Sequence, residues 1–463
     1  MSDSMLMLQA YAGASMLDDR LVREASSELV KFVGAQTFKA LKDWAAEPDP
    51  RRKINRSHEI LSEVSSKRFR TDIFKDLFST YLGFERLRLI PAGSYIEELN
   101  HFYREHLNHT LRVFLLTFAF KETHESLKDS ALFHDFGLPF GDMVTVLDDY
   151  FLGPIRQSSE VGRVMNIRPL SLDFLTCNQV ETLLLLNRLH SHYAKKEGEL
   201  YARLTNLLGT YCAELFEFLP TLALGGIRNL PHDMLSSLLF VTIVLPKILP
   251  DRLLRDALDR LLPSEYEALL VDELVERLTG VLTSALVVAY HDKSAGHIPT
   301  TTSMEVTNSI QKLVLCDEAQ EWGRLAIGDN LPLFGRIDFD LDEGSLKFTP
   351  TEKELPPSRL VYILDSIAGK GCNLHRTGLR ATIVVEFASS VSSNELLSAI
   401  SNCVARLGTD QWDLAKVRVL ERIRGHFQQG RLEVLETGSV VQVKEIVLEV
   451  SPMGIQAVCK EIK

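Results

Sequence analysis

The residues best suited to chemistry in this chain are histidines and aspartates that occur in four short segments. His106 and His109 stand three residues apart in YREHLNHTLRVFLL, a spacing that places two side chains on one face of a helix. His134 and Asp135 end an apolar stretch in ALFHDFGLPFG. Neutral imidazoles and ionised carboxylates are suitable ligands for divalent Mn, Fe, Co, Ni or Zn. These segments therefore favour a divalent-metal site.

The other two segments contain the same ligand types. ALVVAYHDKSAGH contains His291 and His297, and LVLCDEAQEWGR places Asp317 in an apolar helical pattern. A carboxylate on an apolar helix face is costly unless another group compensates its charge, and a metal ion would do so for Asp317 and Asp135. The alternative is that each residue is a helix cap, a salt-bridge partner or a satisfied core residue.

The His-Asp pair alone is weak evidence, because it occurs three times in the chain, as His134–Asp135, His232–Asp233 and His291–Asp292. The second pair follows Pro231, so we expect it to begin a helix whose N-terminal dipole Asp233 favours. We expect His190 and His192, two residues apart in HSHYAKK, to lie at a solvated helix end.

The order of the four segments resembles the HD superfamily of metal-dependent phosphohydrolases. HNHTLRVFLL is similar to the HSxxVxxL helix of that family, ALFHDFGLP to its LLHDIGxP segment, and LVLCDEAQEW to its LLxxADxL helix. The chain also resembles a bacterial group of HD proteins with YRDHxxHxxxVFLLG-like and CDExQEWGR-like segments. The resemblance covers roughly residues 93–142 and 284–325.

The resemblance implies a site for one or two divalent ions, of Mn, Fe, Zn, Ni, Co or Mg. The core metal ligands that it implies are His109, His134, Asp135 and Asp317. In many HD proteins the residue at Asp135 bridges two metals, and His291 and His297 stand where the family places additional histidines. Asp135 would orient the metal-activated water or bridge the metals, while His106 or His291 could move protons. An equally open role for His106 is to support a metal ligand without binding the metal itself.

The resemblance further implies hydrolysis of a phosphoester or phosphoanhydride, with a nucleotide or a related small molecule as substrate. The candidate phosphate contacts are Arg104, Lys293 and Arg324, for which surface salt bridging is the alternative. Two other functions stay open. One is a non-catalytic HD scaffold that senses a nucleotide or holds a partner. The other is a nuclease or a member of a bacterial defence or signalling system.

The composition of the chain limits the classes of partner that we expect it to bind. The formal net charge of −11 repels phosphate backbones, which disfavours long nucleic acids but not a short oligonucleotide or a small phosphorylated molecule. The six cysteines form no CxxC pair, the N-terminus lacks a signal-peptide pattern, and the apolar stretches are too short to span a bilayer. We therefore expect a cytoplasmic protein without a membrane partner, with homo-oligomerisation open. No phosphate-binding loop and no GxSxG nucleophile motif occurs.

Hydrophobic periodicity predicts a mostly α protein. Helical patterns cover residues 14–85, with a loop at 47–53, then 97–120, 178–219, 233–290 and 308–325. Prolines are expected to punctuate the two middle blocks: Pro220, Pro231, Pro246, Pro250 and Pro263. Strand alternation follows at 335–350, with a turn near 342–344, and apolar β-branched runs at 381–389 and 440–450 flank a helical pattern at 394–407.

These patterns give the expected domain organisation. Residues 1–92 form an N-terminal helical region that packs on the HD core. Residues 93–328 form the helical HD domain, with a large helical insertion at about 150–283. Residues 333–463 form a smaller C-terminal α+β domain with a possible regulatory role.

Overall fold

The structure is a computed structural model of the 463-residue chain. It describes residues 18–23, 25–88, 106–119, 125–138, 173–225, 231–249, 271–292 and 302–320, and five strands between 335 and 461. Among these residues, no helix has both the length and the apolar character needed to cross a membrane.

Helices account for most of the described chain up to residue 320, as the periodicity predicts. Residues 18–23 are helical, and the longer helices follow in chain order as α1 (Ser26–Val33), α2 (Ala35–Ala45), α3 (Pro50–Phe69), α4 (Ile73–Arg88), α5 (Leu107–Leu116), α6 (Glu125–Phe133), α7 (Asp173–Tyr193), α8 (Glu199–Gly225), α9 (His232–Ile248), α10 (Asp272–Tyr290) and α11 (Met304–Ala319). A short 3₁₀ turn, Thr117–Ala119, extends α5. The mostly α fold class is therefore confirmed.

The predicted loop at 47–53 is wrong in its second half, because α3 begins at Pro50. The Asp49 carboxylate accepts hydrogen bonds from the backbone amides of Arg51 and Arg52, at 2.9 and 3.2 Å. An aspartate N-cap followed by proline at the first helical position is a strong start signal, since proline lacks the amide hydrogen that would go unsatisfied there. Lys53 consequently lies in the first turn of α3, where it is buried.

The single long helix predicted at 97–120 is also corrected. Helix α5 begins at Leu107 with His106 as its N-cap, and its upstream part, 97–105, lies outside the described residues. Two of the five prolines expected to punctuate the middle blocks, Pro220 and Pro246, lie inside helices, and Pro250 and Pro263 lie outside the described residues. Helix α8 continues through Pro220 to Gly225, and Pro246 lies within α9, two residues before its end. A proline in the last turns removes one backbone hydrogen bond but leaves little helix to disrupt. Pro231 does precede a helix start, as expected.

Helix α10 forms the centre of the helical core. Every residue from Val281 to Tyr290 is buried, and the helix packs against α6, α8, α9 and α11. A helix apolar on all sides is typical of such a central position. Two serines tie neighbouring helices to its backbone: the Ser130 hydroxyl donates to the Ser284 carbonyl at 3.1 Å, and the Ser237 hydroxyl donates to the Ala285 carbonyl at 2.7 Å. These contacts fix where α6 and α9 lie relative to the end of α10.

An aromatic cluster holds the C-terminal end of α6. The ring of Phe133, the last residue of α6, lies 4.8 Å from that of Phe74 and 4.9 Å from that of Phe240, centroid to centroid. Phe69 packs against the same ring at 5.5 Å. Burying each such side chain contributes about 1.5–3 kcal/mol, so the segment that follows Phe133 has a well-determined position.

A fully buried ion cluster joins the N-terminal helices to α5. Arg112 donates to both carboxylate oxygens of Asp18, at 2.8 and 2.9 Å, and the Lys53 ammonium lies 2.7 Å from the same carboxylate. The indole of Trp44 lies beneath both cations and donates to Asn108 at 3.0 Å. Three separate N-terminal segments thus hold the helix that carries His109.

The described strands form one sheet of order β1-β2-β3-β4-β5, with β1 (Gly335–Asp340), β2 (Ser345–Glu352), β3 (Arg380–Phe387), β4 (Val443–Ser451) and β5 (Gly454–Glu461). Neighbouring strands are antiparallel except β2 and β3, which are parallel. The predicted strands are present and β5 is an addition. The predicted turn near 342–344 and the helix at 394–407 lie outside the described residues.

Candidate metal centre

Five helix ends converge on the site. His109 lies in the first turn of α5, His134 follows the last residue of α6, and His232 begins α9. His291 caps the end of α10, and Asp317 lies in the last turn of α11. Helix N-termini favour negative charge and helix C-termini favour positive charge. Both carboxylates, Asp135 and Asp317, lie at helix C-termini, where the dipole opposes their negative charge, so a bound cation would compensate them.

The first group contains His109, His134, Asp135 and Asp317, whose potential ligand atoms all lie within 4.8 Å of one another. The His109 Nε2 atom lies 2.9 Å from Asp317 Oδ1 and 3.4 Å from Asp135 Oδ2. The His134 Nε2 atom lies 3.2 Å from His109 Nε2. The three residues other than Asp317 are buried, and Asp317 is 17% exposed, which leaves the cluster open on one side.

The orientation of His134 suits a metal ligand. Its Nδ1–H donates to the Ala131 carbonyl at 2.9 Å, three residues earlier in the last turn of α6. Since a carbonyl can only accept, the proton must be on Nδ1, and the Nε2 atom is directed at His109, Asp135 and Asp317. Metal-binding histidines commonly use the other ring nitrogen in this way.

A second group contains Asp135, His232 and His291. Asp135 belongs to both groups and uses different oxygens. Its Oδ2 atom faces His109 and His134, at 3.4 and 3.5 Å, whereas its Oδ1 atom lies 3.6 Å from His232 Nε2 and 3.9 Å from His291 Nε2. Such a carboxylate is placed to join two cation positions.

His291 provides the sharpest test of whether these residues fit a metal. Its Nδ1–H donates to the Val288 carbonyl at 2.6 Å, so its Nε2 atom presents a lone pair. That atom is buried and has no hydrogen-bond partner among the described residues. A buried polar atom without a partner is uncommon and costly, and a metal ion would satisfy it. The donor set of imidazole nitrogens and carboxylate oxygens suits a divalent transition metal.

Gly137 brings His232 to Asp135. A Cβ atom at this position would lie 2.5 Å from the His232 carbonyl oxygen and 2.8 Å from the Ser236 amide nitrogen. The Gly137 amide also donates to the Ser236 hydroxyl at 2.7 Å. Only glycine allows the turn at 134–137 to approach the first turn of α9 so closely.

Electrostatics in the first group holds both carboxylates ionised. Burial alone would raise the pKa of Asp135, but the facing His134, His106 and His109 hold it well below its usual range. Burial likewise opposes the low pKa of Asp317, which hydrogen bonds from His109 and His134 maintain. For His134, burial lowers the pKa, yet the charges of Asp135 and Asp317 outweigh it and raise the value to about 9.

In the second group, burial, together with His232 and His134, lowers the pKa of His291 to about 4. His291 is consequently neutral at pH 7, as a metal-ligating imidazole must be. The second group thus combines the ionised Asp135 carboxylate with the neutral His291 imidazole, a combination that attracts a cation.

The structure brings together five of the residues expected at the site: His106, His109, His134, Asp135 and Asp317. His291 joins them in the second group. His106 does not lie inside the helix with His109 as expected but caps it, and its Nδ1 atom lies 3.6 Å from Asp135 Oδ2 at the rim. Four expected residues lie outside the described part of the chain: Arg104, Lys293, His297 and Arg324.

Two residues at the site were not expected from the sequence. The sequence predicts His232 only as part of a helix start, although its place in one of the three His-Asp pairs is a signal for the site. Gln320, fully buried, accepts a hydrogen bond from His109 Nδ1 across 211 residues of sequence. Its only signal is its place in the CDEAQEWGR segment.

Comparisons of the chain with protein-family models, with curated proteins and with solved structures gave no match. Membership of the HD superfamily therefore stays a prediction that rests on the motifs and on the geometry of the site.

Proposed function

We propose that the protein is an HD-type metal-dependent phosphohydrolase that cleaves a phosphoester or phosphoanhydride, in a nucleotide or a related small molecule. The observation that carries the proposal is the buried convergence of His109, His134, Asp135 and Asp317 within 4.8 Å. The order of these residues along the chain is the order of the HD motifs. When bound, a divalent cation would supply Lewis acidity, which acidifies water and stabilises charge on a phosphoryl group.

Two cation positions are supported by the two oxygens of Asp135. His109, His134 and Asp317 would hold the first cation, and His232 and His291 would hold the second, with Asp135 shared between them. The first group, with two carboxylates, is the more negative. We therefore assign it the tighter binding.

His106 is the residue we propose for proton movement. It lies at the rim, where its side chain is 12% exposed, and its Nδ1 atom is 3.6 Å from Asp135 Oδ2. Imidazole exchanges protons near neutral pH, so a rim histidine beside Asp135 can pass a proton between the site and solvent or a leaving group. Arg104, Lys293 and Arg324 stay proposed phosphate contacts, because they adjoin the site segments in sequence.

The wider organisation belongs to the same proposal. It comprises an HD domain at 93–328 whose insertion, at about 150–283, contributes His232, and a C-terminal α+β domain at 333–463. A cytoplasmic location, expected from scattered cysteines, accords with Cys212 and Cys316, which are free and buried.

Hydrolysis assays test the proposal. Purified protein is incubated with Mn²⁺ or Co²⁺ and bis-p-nitrophenyl phosphate, and then with a panel of nucleotides. We expect metal-dependent release of product that Asp317→Asn abolishes and that His58→Ala, a histidine bonded to Ser79 away from the site, leaves intact. Nucleotide binding without turnover by the metal-loaded protein would contradict hydrolysis and favour the regulatory alternative.

A further inference from the structure

Gln320 contacts His109 at Nδ1, the ring nitrogen that does not face the two carboxylates. The Gln320 side-chain carbonyl accepts from His109 Nδ1, and both side chains are fully buried. Gln320 follows the last residue of α11, where its backbone amide bonds the Cys316 and Asp317 carbonyls at 3.2 Å each. These bonds fix the backbone of Gln320, and its side-chain carboxamide is directed at His109.

His109 needs this partner because of its place in the fold. His134 and His291 each follow the last residue of a helix, where Nδ1–H can donate to a carbonyl three residues earlier. His109 instead lies inside α5, in a turn where the His106 carbonyl already accepts from the Thr110 amide, at 2.7 Å. A distant side chain consequently takes the role that backbone carbonyls play for the other two histidines.

The end of α11 holds both ring nitrogens of His109. Asp317 Oδ1 lies 2.9 Å from Nε2, and Gln320, three residues later, contacts Nδ1. With the proton fixed on Nδ1, the Nε2 atom is the one available to a cation. Any rotation of the ring would break the bond to Gln320.

We propose that Gln320 is a positioning residue, which holds the His109 imidazole in the Nδ1–H tautomer and directs Nε2 into the metal site. This inference rests on the proposed metal site, not on the identity of the substrate. Hydrogen-bond partners behind a metal-ligating histidine raise its basicity, and their loss commonly weakens metal affinity about 10- to 100-fold.

Two substitutions separate hydrogen bonding from packing. Gln320→Leu keeps an apolar side chain of similar size but removes the acceptor. Gln320→Glu restores an acceptor of the same length. Calorimetric titration with Co²⁺ should give a dissociation constant raised about 10- to 100-fold in Gln320→Leu and restored to the wild-type value, or below it, in Gln320→Glu. Helical circular dichroism of each variant reports whether the fold is kept.

Equal Co²⁺ affinity in wild type and folded Gln320→Leu would overturn the positioning role and leave the metal site intact. Failure of folded Gln320→Glu to restore affinity would overturn it as well. A wild-type protein that binds no Co²⁺ would overturn both this role and the proposed function.

A measurement that needs no substitution at Gln320 covers the case in which Gln320→Leu does not fold. In ¹⁵N-histidine-labelled protein loaded with Zn²⁺, an exchange-protected Nδ1–H resonance should disappear in His109→Ala. Coordination of Zn²⁺ through Nδ1 of His109, with a proton on Nε2, would overturn the proposal.

Discussion

Replacing Gly137 with alanine tests how the fold assembles the second group of ligands. The added Cβ would lie 2.5 Å from the His232 carbonyl oxygen, about 0.9 Å inside the 3.4 Å at which ordinary contact begins, and 2.8 Å from the Ser236 amide nitrogen. Both are backbone atoms that cannot rotate away, so the first turn of α9 must move. Overpacking of this kind costs about 1–3 kcal/mol.

The displacement also reaches the site. His232 Nε2 lies 3.6 Å from Asp135 Oδ1, and a shift approaching 0.9 Å would separate them beyond 4 Å. We therefore expect Gly137→Ala to lose the weaker of two Co²⁺ equivalents while keeping the tighter one. Urea unfolding measures the loss of stability, and Co²⁺ titration measures the stoichiometry.

The matched control is Gly280→Ala. Gly280 is an exposed residue within α10, and a Cβ there would meet nothing within 4 Å. Because alanine is the better helix former, this variant should gain about 1 kcal/mol in the free energy of unfolding. Equal stability and equal Co²⁺ stoichiometry in Gly137→Ala and wild type would refute the close approach and its role in placing His232.

Three further predictions concern charge. First, because its pKa is raised to about 9, protonated His134 stabilises the metal-free fold. This contribution, up to about 3 kcal/mol, is complete below pH 6.5 and is lost between pH 6.5 and 9. Urea unfolding with chelator should show the loss, and an unchanged dependence of the unfolding free energy on pH in His134→Asn would contradict it. Second, Asp18→Ala leaves Lys53 and Arg112 buried without their counter-ion and should lower the free energy of unfolding by about 3–5 kcal/mol. The control is Glu28→Ala, which removes an exposed ion pair with Lys31 and should cause no measurable change. Equal unfolding midpoints for Asp18→Ala and wild type would refute the role of the ion cluster. Third, Co²⁺ affinity should rise with pH up to about pH 9, because the metal displaces the His134 proton; pH-independent titrations would contradict this.

Local sequence patterns were sufficient to predict where helices and most strands occur, but not where every helix begins. Helix α10 could be predicted because its apolar residues recur continuously, and β3 because ATIVVEF is β-branched and apolar. The start of α5 could not, since the helical pattern runs unbroken through His106. The start of α3 had a local signal, Asp49 followed by Pro50, that was outweighed by the expectation of a loop.

The residues of the site likewise include some that local motifs predict and some that only tertiary packing places. The four residues of the first group stand within recognisable motifs, and the pairing of His134 with Asp135 is local. His232 reaches Asp135 only because Gly137 lets two segments about 95 residues apart pack closely, and no local pattern encodes that contact. Gln320 reaches His109 across 211 residues. Such contacts depend on tertiary packing around α10, which sequence periodicity does not specify.

The measurement that tests the central claim most directly is metal content. Protein purified without a histidine tag would be compared by elemental analysis with a His134→Ala/Asp135→Ala variant, before and after incubation with Mn²⁺ or Co²⁺. The account predicts one or two equivalents of transition metal in the wild type and none in the folded variant. Equal metal content in the two proteins, whether zero or substantial after incubation, would contradict it.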